Sequence, residues 1–274
     1  GLHGKPAVMP GFFGSHLGVI DLALQKTRKG WVLRSHHSQA RPVARRDPTT
    51  ARLTACFADD PAVAAKAMPS HTALLTKGAA VISHSAVPLH SFFALLTETA
   101  ALSLVARAQI QRLAEVLRGS DNANLPILSA VAPFKAGGRG GPENYTDIPA
   151  GPLQLRHLSD LYLHPNSLTG LRLTGAELAQ WLERSVSLYH RILPDVADQD
   201  LIDPAFPSFN FDSIHGLTYQ IDLSQPARFD AQGRVIDANA RRITRLLHQG
   251  LPVQPDALFV LASNNYRSSG GAGF

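Results

Sequence analysis

Three short stretches place an aromatic ring or imidazole, an amide and a cation beside turn formers. Asn264-Asn265-Tyr266-Arg267 runs into Ser268-Ser269-Gly270-Gly271-Ala272 near the chain end. His164-Pro165-Asn166 follows a leucine-rich run, and Lys135 and Arg139 flank Gly137 and Gly138. A tyrosine on a glycine-rich loop is free to present its face, and stacking on a nucleobase is worth roughly 1–3 kcal/mol. The same local sequence also suits a tyrosine packed on its own domain. The Asn166 amide offers a donor and an acceptor to a base edge, although Pro-Asn beside a strand is more often an ordinary turn. Glycines let backbone approach an anion whose charge Lys135 and Arg139 would balance.

Other chemistries lack their residues. Twelve histidines make metal ligands plentiful by number, yet their spacing is poor. His36-His37 would point to opposite faces of a strand, and His84 and His90 stand six apart around Pro88. No Gly-x-Ser-x-Gly elbow or P-loop occurs. The lone Cys56 excludes an internal disulfide framework and a four-thiolate zinc site. Net charge is +5, and Arg41, Arg45 and Arg46 form the tightest basic group, so there is no polybasic run for a nucleic-acid polymer. The longest uncharged apolar stretches, such as 125–134, are too short for a membrane-spanning helix. The first twenty residues show no secretory leader layout. The chain opens without Met and closes in a glycine-rich loop, so both ends read as internal to a longer protein.

The elements that must position these loops are mixed α/β. Residues 6–10 and 17–24 read as strands, with a turn at 27–30 and a returning strand from Trp31. This has the look of a sheet edge. Asp60 is placed to cap a helix with Pro61 at its first position, and Pro69 predicts that this helix is kinked or in two pieces. Residues 77–95 read as extended. Leu102, Val105, Ala106, Ile110, Leu113 and Leu117 recur at spacings of three and four, predicting a helix over 100–118 capped by Thr99 and stopped by Gly119. Residues 125–131 predict a buried strand, and 161–163 and 168–173 predict strands around His164-Pro165-Asn166. Thr174 and Glu177 form a capping box for a helix over 175–190, with Leu178, Trp181, Leu182, Val186 and Tyr189 as its core stripe. Strands are expected at 217–223 and 258–262, with a hairpin-type turn at 230–233.

The stretches LPILSAVAPFKAGGR (125–139), DLYLHPN (160–166), LTGAELAQWL (173–182), NFDSIHGLTYQID (210–222), QPARF (225–229) and ASNNYRSSGG (262–271) resemble, in order and spacing, the C-terminal domain of the periplasmic 2',3'-cyclic-nucleotide 2'-phosphodiesterase/3'-nucleotidases of the 5'-nucleotidase family. The opening GKPAVMPGFFGSHLGVIDL is similar to the last strands of that family's metallophosphoesterase domain. The resemblance implies residues 1–52 as a remnant of that domain, 53–76 as a linker helix and 77–274 as the substrate-binding domain. It further implies hydrolysis of 2',3'-cyclic nucleotides and 3'-nucleotides to nucleoside and phosphate, with two divalent metals (manganese, cobalt, zinc or magnesium) held upstream and neither a metal nor a catalytic residue in this chain. Tyr266 matches a base-stacking aromatic, and the loop Arg267-Ser268-Ser269-Gly270-Gly271-Ala272 matches the substrate-contacting segment. Asn166 matches a base-edge contact, and His164 stands where the family has a second aromatic, Tyr or Phe. Lys135 or Arg139 falls near the phosphate-side cation. The implied protein is a periplasmic monomer that binds nucleotides or nucleosides. The alternatives are a 5'-nucleotidase or UDP-sugar hydrolase of the same family, or a nucleoside-binding module without catalysis.

Overall fold

The computed structural model describes residues 2–11, 14–49, 52–204 and 206–274, with the backbone but not the side chain of Arg139. The chain divides into two compact units, residues 1–75 and 76–274.

In the first unit, β1 (His16–Thr27) and β2 (Gly30–Pro42) form a long antiparallel hairpin that runs from His16 opposite Pro42 to Thr27 opposite Gly30, with a one-residue register shift between Ala23 (opposite Ser35) and Leu24 (opposite Leu33). Its turn closes because Thr27 donates its hydroxyl to the Gly30 carbonyl at 2.7 Å and Gly30 takes φ 117°. Residues 6–10, expected as a strand, are irregular. The two prolines there fix φ, and Pro lacks the N–H a ladder needs. A short hairpin of β3 (Ala44–Arg46) and β4 (Leu53–Ala55) follows, in a stretch whose polar composition gave no strand signal. Helix α1 (Pro61–Gly78), whose last three residues belong to the second unit, begins as its sequence predicts, with Asp60 Oδ1 accepting from the N–H groups of Ala62 (2.8 Å) and Val63 (3.1 Å). It is a single continuous helix through Pro69, not two pieces. A proline deletes one intrahelical bond, and here the flanking turns hold without it.

The second unit is built on a four-stranded sheet. In chain order its elements are β5 (Val81–Ser85), β6 (Leu89–His90), α2 (Ala100–Val116), β7 (Ile127–Val131), β8 (Asp147–Ile148), β9 (Gly151–Gln154), α3 (Leu155–Leu161), β10 (Leu168–Thr174), α4 (Gly175–Ser185), β11 (Ser213–His215), β12 (Leu217–Ile221), β13 (Ile243–His248), β14 (Leu251–Pro252), β15 (Leu258–Asn264) and α5 (Asn265–Ser268). The central sheet has the order β10-β15-β7-β11, with β15 and β7 parallel and the outer pairings antiparallel. Leu128, Ala130, Phe259 and Leu261 pack with Leu178, Trp181 and Leu182 of α4. Val131 packs with Leu102 and Ala106 of α2, and Val260 and Ala262 with Leu113. Both faces of the parallel pair are therefore covered, which is why these strands read as unbroken apolar runs.

Thr99 caps α2 and Thr174 with Glu177 closes the predicted box on α4: the Thr174 hydroxyl accepts from Glu177 N–H, and the Thr174 N–H donates to Glu177 Oε2 at 2.7 Å. Helix α4 stops at Ser185, and Val186–Leu188 continue as a 3-10 turn that keeps Val186 and Tyr189 buried, now in a second cluster with Phe206 and Phe211. Residues 161–163, expected as a strand, are the end of α3 and its C-cap Tyr162. Leu155, Leu158 and Leu161 recur at a spacing of three, and His157 Nδ1 accepts the N–H of Gln154 at the helix start. Local helical bonding wins there over the apolar Leu-Tyr-Leu run.

Two measurements test this packing. Thr174→Ala removes a cap and costs about 1 kcal/mol, whereas Leu178→Ala leaves a cavity against the sheet and costs roughly 2–5 kcal/mol in denaturant unfolding. Equal losses would contradict this assignment. Burial raises the phenol of Tyr189, whose hydroxyl donates to the Leu95 carbonyl, and pushes Tyr219 up to about 12, with the charges of Glu98 and Asp212 adding to it. Unfolded phenols ionise near about pH 10. The stability these neutral phenols contribute is thus complete below that pH and is lost as pH rises through the Tyr219 value. In a phenolate absorbance titration of the folded chain, Tyr189 and Tyr219 ionise above the range of an unfolded phenol.

Candidate functional site

A cavity of about 340 Å³ opens beyond the carboxyl ends of the parallel pair β7 and β15. Such a position is where α/β sheets leave a crevice between diverging connections. From β7 the chain brings Ala132 and Phe134, and from β15 it brings Ser263, Asn264, Tyr266 and Arg267. The segment after α3 adds Tyr162, His164, Pro165 and Asn166, and α2 adds Leu102, Val105 and Gln109. Phe209 and Asp212 come from the loop before β11.

The two loops expected to carry the site are tied to each other. Ser167 N–H donates to Asn265 Oδ1 at 2.8 Å, and Asn265 N–H donates back to the Ser167 carbonyl at 3.0 Å. This exchange continues the antiparallel pairing in which Leu168 faces Asn264. Residues almost a hundred positions apart thereby hold His164 and Asn166 on the same cavity as Tyr266. The Asn166 N–H donates to the His164 carbonyl at 2.8 Å, and its Nδ2 donates to Tyr162 Oη at 3.4 Å. Phe134 meets Tyr162 and His164 edge to face, with ring centroids 5.0 and 5.2 Å away, a favourable geometry for aromatic quadrupoles.

Tyr266 lies in α5, a single helical turn where a glycine loop was expected, and it is 50% exposed. Asn264 Oδ1 caps the turn by accepting the Arg267 N–H at 3.0 Å. The hydroxyls of Ser268 and Ser269 are spent on the Asn265 carbonyl at 3.2 and 2.8 Å. A Cβ at Gly271 would stand 2.6 Å from two Tyr266 ring carbons, so glycine is what lets the loop pass beneath the ring. Gly270 and Ala272 both have positive φ, and the Ala272 carbonyl is held by Arg184 Nε at 3.0 Å and Nη2 at 2.7 Å.

Arg267 lines the cavity but is 5% exposed, and its donors are all used within the protein. Nε and Nη2 form a two-point pair with Asp212 at 2.9 and 3.1 Å. Nη2 also reaches the Phe209 carbonyl at 2.7 Å, and Nη1 reaches Asn210 Oδ1 and the Gly271 carbonyl, both at 3.4 Å. Phe274 lies over its guanidinium at 4.4 Å, and Asp212 Oδ2 also accepts Trp181 Nε1–H at 3.0 Å.

Of the residues expected to meet a ligand, His164, Asn166, Tyr266 and Arg267 share the cavity. Ser268, Ser269, Gly270, Gly271 and Ala272 form the turn behind Tyr266 and are outside the lining. Lys135 is also outside it and is ion-paired with Asp160, while the side chain of Arg139 lies outside the described residues. Four lining residues were not singled out from the sequence: Phe134, Gln109, Phe209 and Asp212. Phe134 directly precedes the Lys135 loop and was within reach of the sequence pattern. The others arrive from a helix and a distant loop. Among the described residues, no group of three His, Cys, Asp or Glu side chains is placed to hold a metal ion.

The chain was compared with known proteins. Residues 81–274 match the family model of the 5'-nucleotidase C-terminal domain. The trifunctional nucleotide phosphoesterase YfkN of Bacillus subtilis (strain 168) is 37% identical over the whole chain, which covers 18% of that protein. The 2',3'-cyclic-nucleotide 2'-phosphodiesterase/3'-nucleotidase of Salmonella typhimurium is 38% identical over 98% of the chain and 42% of its own length. The solved 5'-nucleotidase precursor of Thermus thermophilus aligns with a TM-score of 0.54 at 18% identity, covering 95% of this chain and 42% of that one, a likeness of fold. The chain thus spans about two fifths or less of the length of these relatives.

Removing one partner of the Arg267–Asp212 pair leaves an uncompensated buried charge, a change worth roughly 3–5 kcal/mol. Asp212→Asn lowers stability by about that amount in denaturant unfolding, and Asp212→Leu with Arg267→Met recovers most of it. A double variant no better than the single one would mean that the pair is not the anchor of this loop.

Proposed function

Because this chain belongs to the family of 5'-nucleotidase C-terminal domains, we propose that its cavity holds the base of a nucleotide whose phosphate ester is hydrolysed, with 2',3'-cyclic nucleotides and 3'-nucleotides as substrates and nucleoside and phosphate as products. The names of the relatives support the substrate class. The observation that carries the reading is the meeting of Tyr266, His164 and Asn166 in one cavity, since these are the residues the family resemblance matches to base contacts.

In this reading Tyr266 offers its half-exposed face to the base, with the imidazole of His164 and the ring of Phe134 supplying further aromatic surface. Asn166 Oδ1 accepts from the base edge. Arg267 acts through Tyr266, holding the loop that carries it. The contribution of this chain is to order the substrate before reaction, which can supply several kcal/mol of a barrier. Two divalent metals belong to the same proposal and would supply Lewis-acid chemistry at phosphorus. The described residues do not fit such a pair, so this chain is assigned no step at phosphorus. Residues 1–52 as the end of a hydrolytic domain, 53–76 as a linker, 77–274 as the base-holding domain, the monomeric state and the periplasmic setting complete the proposal.

Loss of one stacking face is worth roughly 1–3 kcal/mol, so Tyr266→Ala should weaken adenosine binding to the full chain by about one to two decades in calorimetry. Unchanged affinity would sink the base-site reading. For activity, a protein of the relatives' length that contains this chain should release phosphate from 3'-AMP and open 2',3'-cyclic AMP in the presence of divalent metal. Release from 5'-AMP alone would move the assignment to a 5'-nucleotidase.

A further inference from the structure

The α2 wall of the cavity carries an amide that belongs to none of the loop motifs. Gln109 projects from α2 into the lining, and its Oε1 accepts the hydroxyl of Ser129 on β7 at 2.9 Å. Ser129 is 0% exposed, and this is the hydroxyl's hydrogen bond among the described residues. The bond fixes which way the amide faces. Turned over, Gln109 would present Nε2 to Ser129, and the buried O–H would have no acceptor, a penalty of the order of 1–3 kcal/mol. With Oε1 engaged, Nε2 keeps two N–H donors that bond to no described residue. Ser263 lines the same cavity at 2% exposure, and its hydroxyl likewise bonds to no described residue. Asn166 has the opposite bias, since its Nδ2 is engaged with Tyr162 and its Oδ1 is open.

We propose that Gln109 is a specificity-determining residue of this cavity, its Nε2 donating to a ring nitrogen on the inner edge of a bound purine. The inference rests on the base-site reading above. A cavity of about 340 Å³ falls in the range of small-ligand pockets, where a few placed polar groups fix orientation within apolar walls. The α2 wall that carries Gln109 is of that kind, with Leu102 and Val105 of the same helix also lining the cavity. A donor held by a bond to the scaffold is already oriented when the ligand arrives, so little rotamer freedom is lost on binding. A purine with carbon at the facing ring position would leave the N–H aimed at it unpaired.

The test is a cycle between residue and ligand atom on the full chain, with adenosine and its 1-deaza, 3-deaza and 7-deaza analogues followed by calorimetry. The wild-type chain should lose roughly 5- to 20-fold in affinity for one of the three analogues. Gln109→Met should weaken adenosine by a similar factor and no longer distinguish it from that analogue. Gln109→Glu keeps an oxygen for the Ser129 hydroxyl, so it protects the fold. It puts an acceptor where the donor was, and should lose adenosine by at least as much. If both variants discriminate the three analogues as the wild type does, or bind adenosine with wild-type affinity, the role of Gln109 is overturned while the base-site reading stands on its Tyr266 dependence. Failure of the wild-type chain to bind any of these nucleosides overturns both.

Discussion

The cavity depends on one reciprocal exchange of backbone and side-chain bonds, Ser167 N–H to Asn265 Oδ1 and Asn265 N–H to Ser167 O. It extends the β10–β15 ladder by one step into the loops, at the point where both strands run out of the sheet. Without that step, two loops distant in sequence would each bear a ring on an independent hinge. With it, the position of one ring sets the position of the other. A bond pair of this kind stabilises only modestly in water-accessible surroundings. Its structural effect is larger than its energy, because it removes relative freedom that a ligand would otherwise have to freeze.

Behind Tyr266 the loop is held by charge. Arg267 is drawn into the interior against Asp212, and Asp212 is in turn shared with Trp181 of α4. Taking a guanidinium and a carboxylate out of water is costly unless geometry and further hydrogen bonds compensate. Here every guanidinium N–H has an acceptor, and an aromatic ring covers the cation's face. A second arginine, Arg184, holds the Ala272 carbonyl from the same helix. A third, Arg242, is buried with its backbone N–H on Glu183 and its guanidinium on the carbonyls of Val186 and Tyr189. Helix α4 is thus amphipathic in an uncommon sense: its apolar stripe meets the sheet, while Glu183 and Arg184 are buried in fixed polar contacts with the loops around it. Such networks disfavour alternative packings more than they raise stability, since a shifted loop would strand a charge.

The proposed base site therefore has two kinds of wall. One is assembled from ladder ends and loops, where Tyr266, His164 and Asn166 stand. The other is the regular core, where α2 crosses β7 and Ser129 orients Gln109. Sites anchored on regular elements hold geometry better than sites on loops alone. The combination lets sequence change in the loops alter which rings meet the ligand without disturbing the floor.

Much of the scaffold was legible from the amino-acid sequence because its signals are local. The spacing of Leu102 to Leu117, the Thr174–Glu177 box, the Asp60–Pro61 start and the apolar runs of β7 and β15 each arise from bonds or burial within a few residues. The loops with Tyr266 and with His164 and Asn166 were legible as ligand candidates by residue type. The tertiary structure alone decided that these loops share one cavity, since that follows from strand pairing between segments nearly a hundred residues apart. It also decided that Arg267 is an internal anchor and Lys135 an ion-pair partner of Asp160, for a cation looks the same in sequence whether its counter-charge is a ligand or a distant aspartate. The orientation of Gln109 was hidden for the same reason, since it is fixed by a bond to Ser129, a residue brought near only by folding, whereas the local bonds of helix α3 were masked in the sequence by the apolar Leu-Tyr-Leu run at its end.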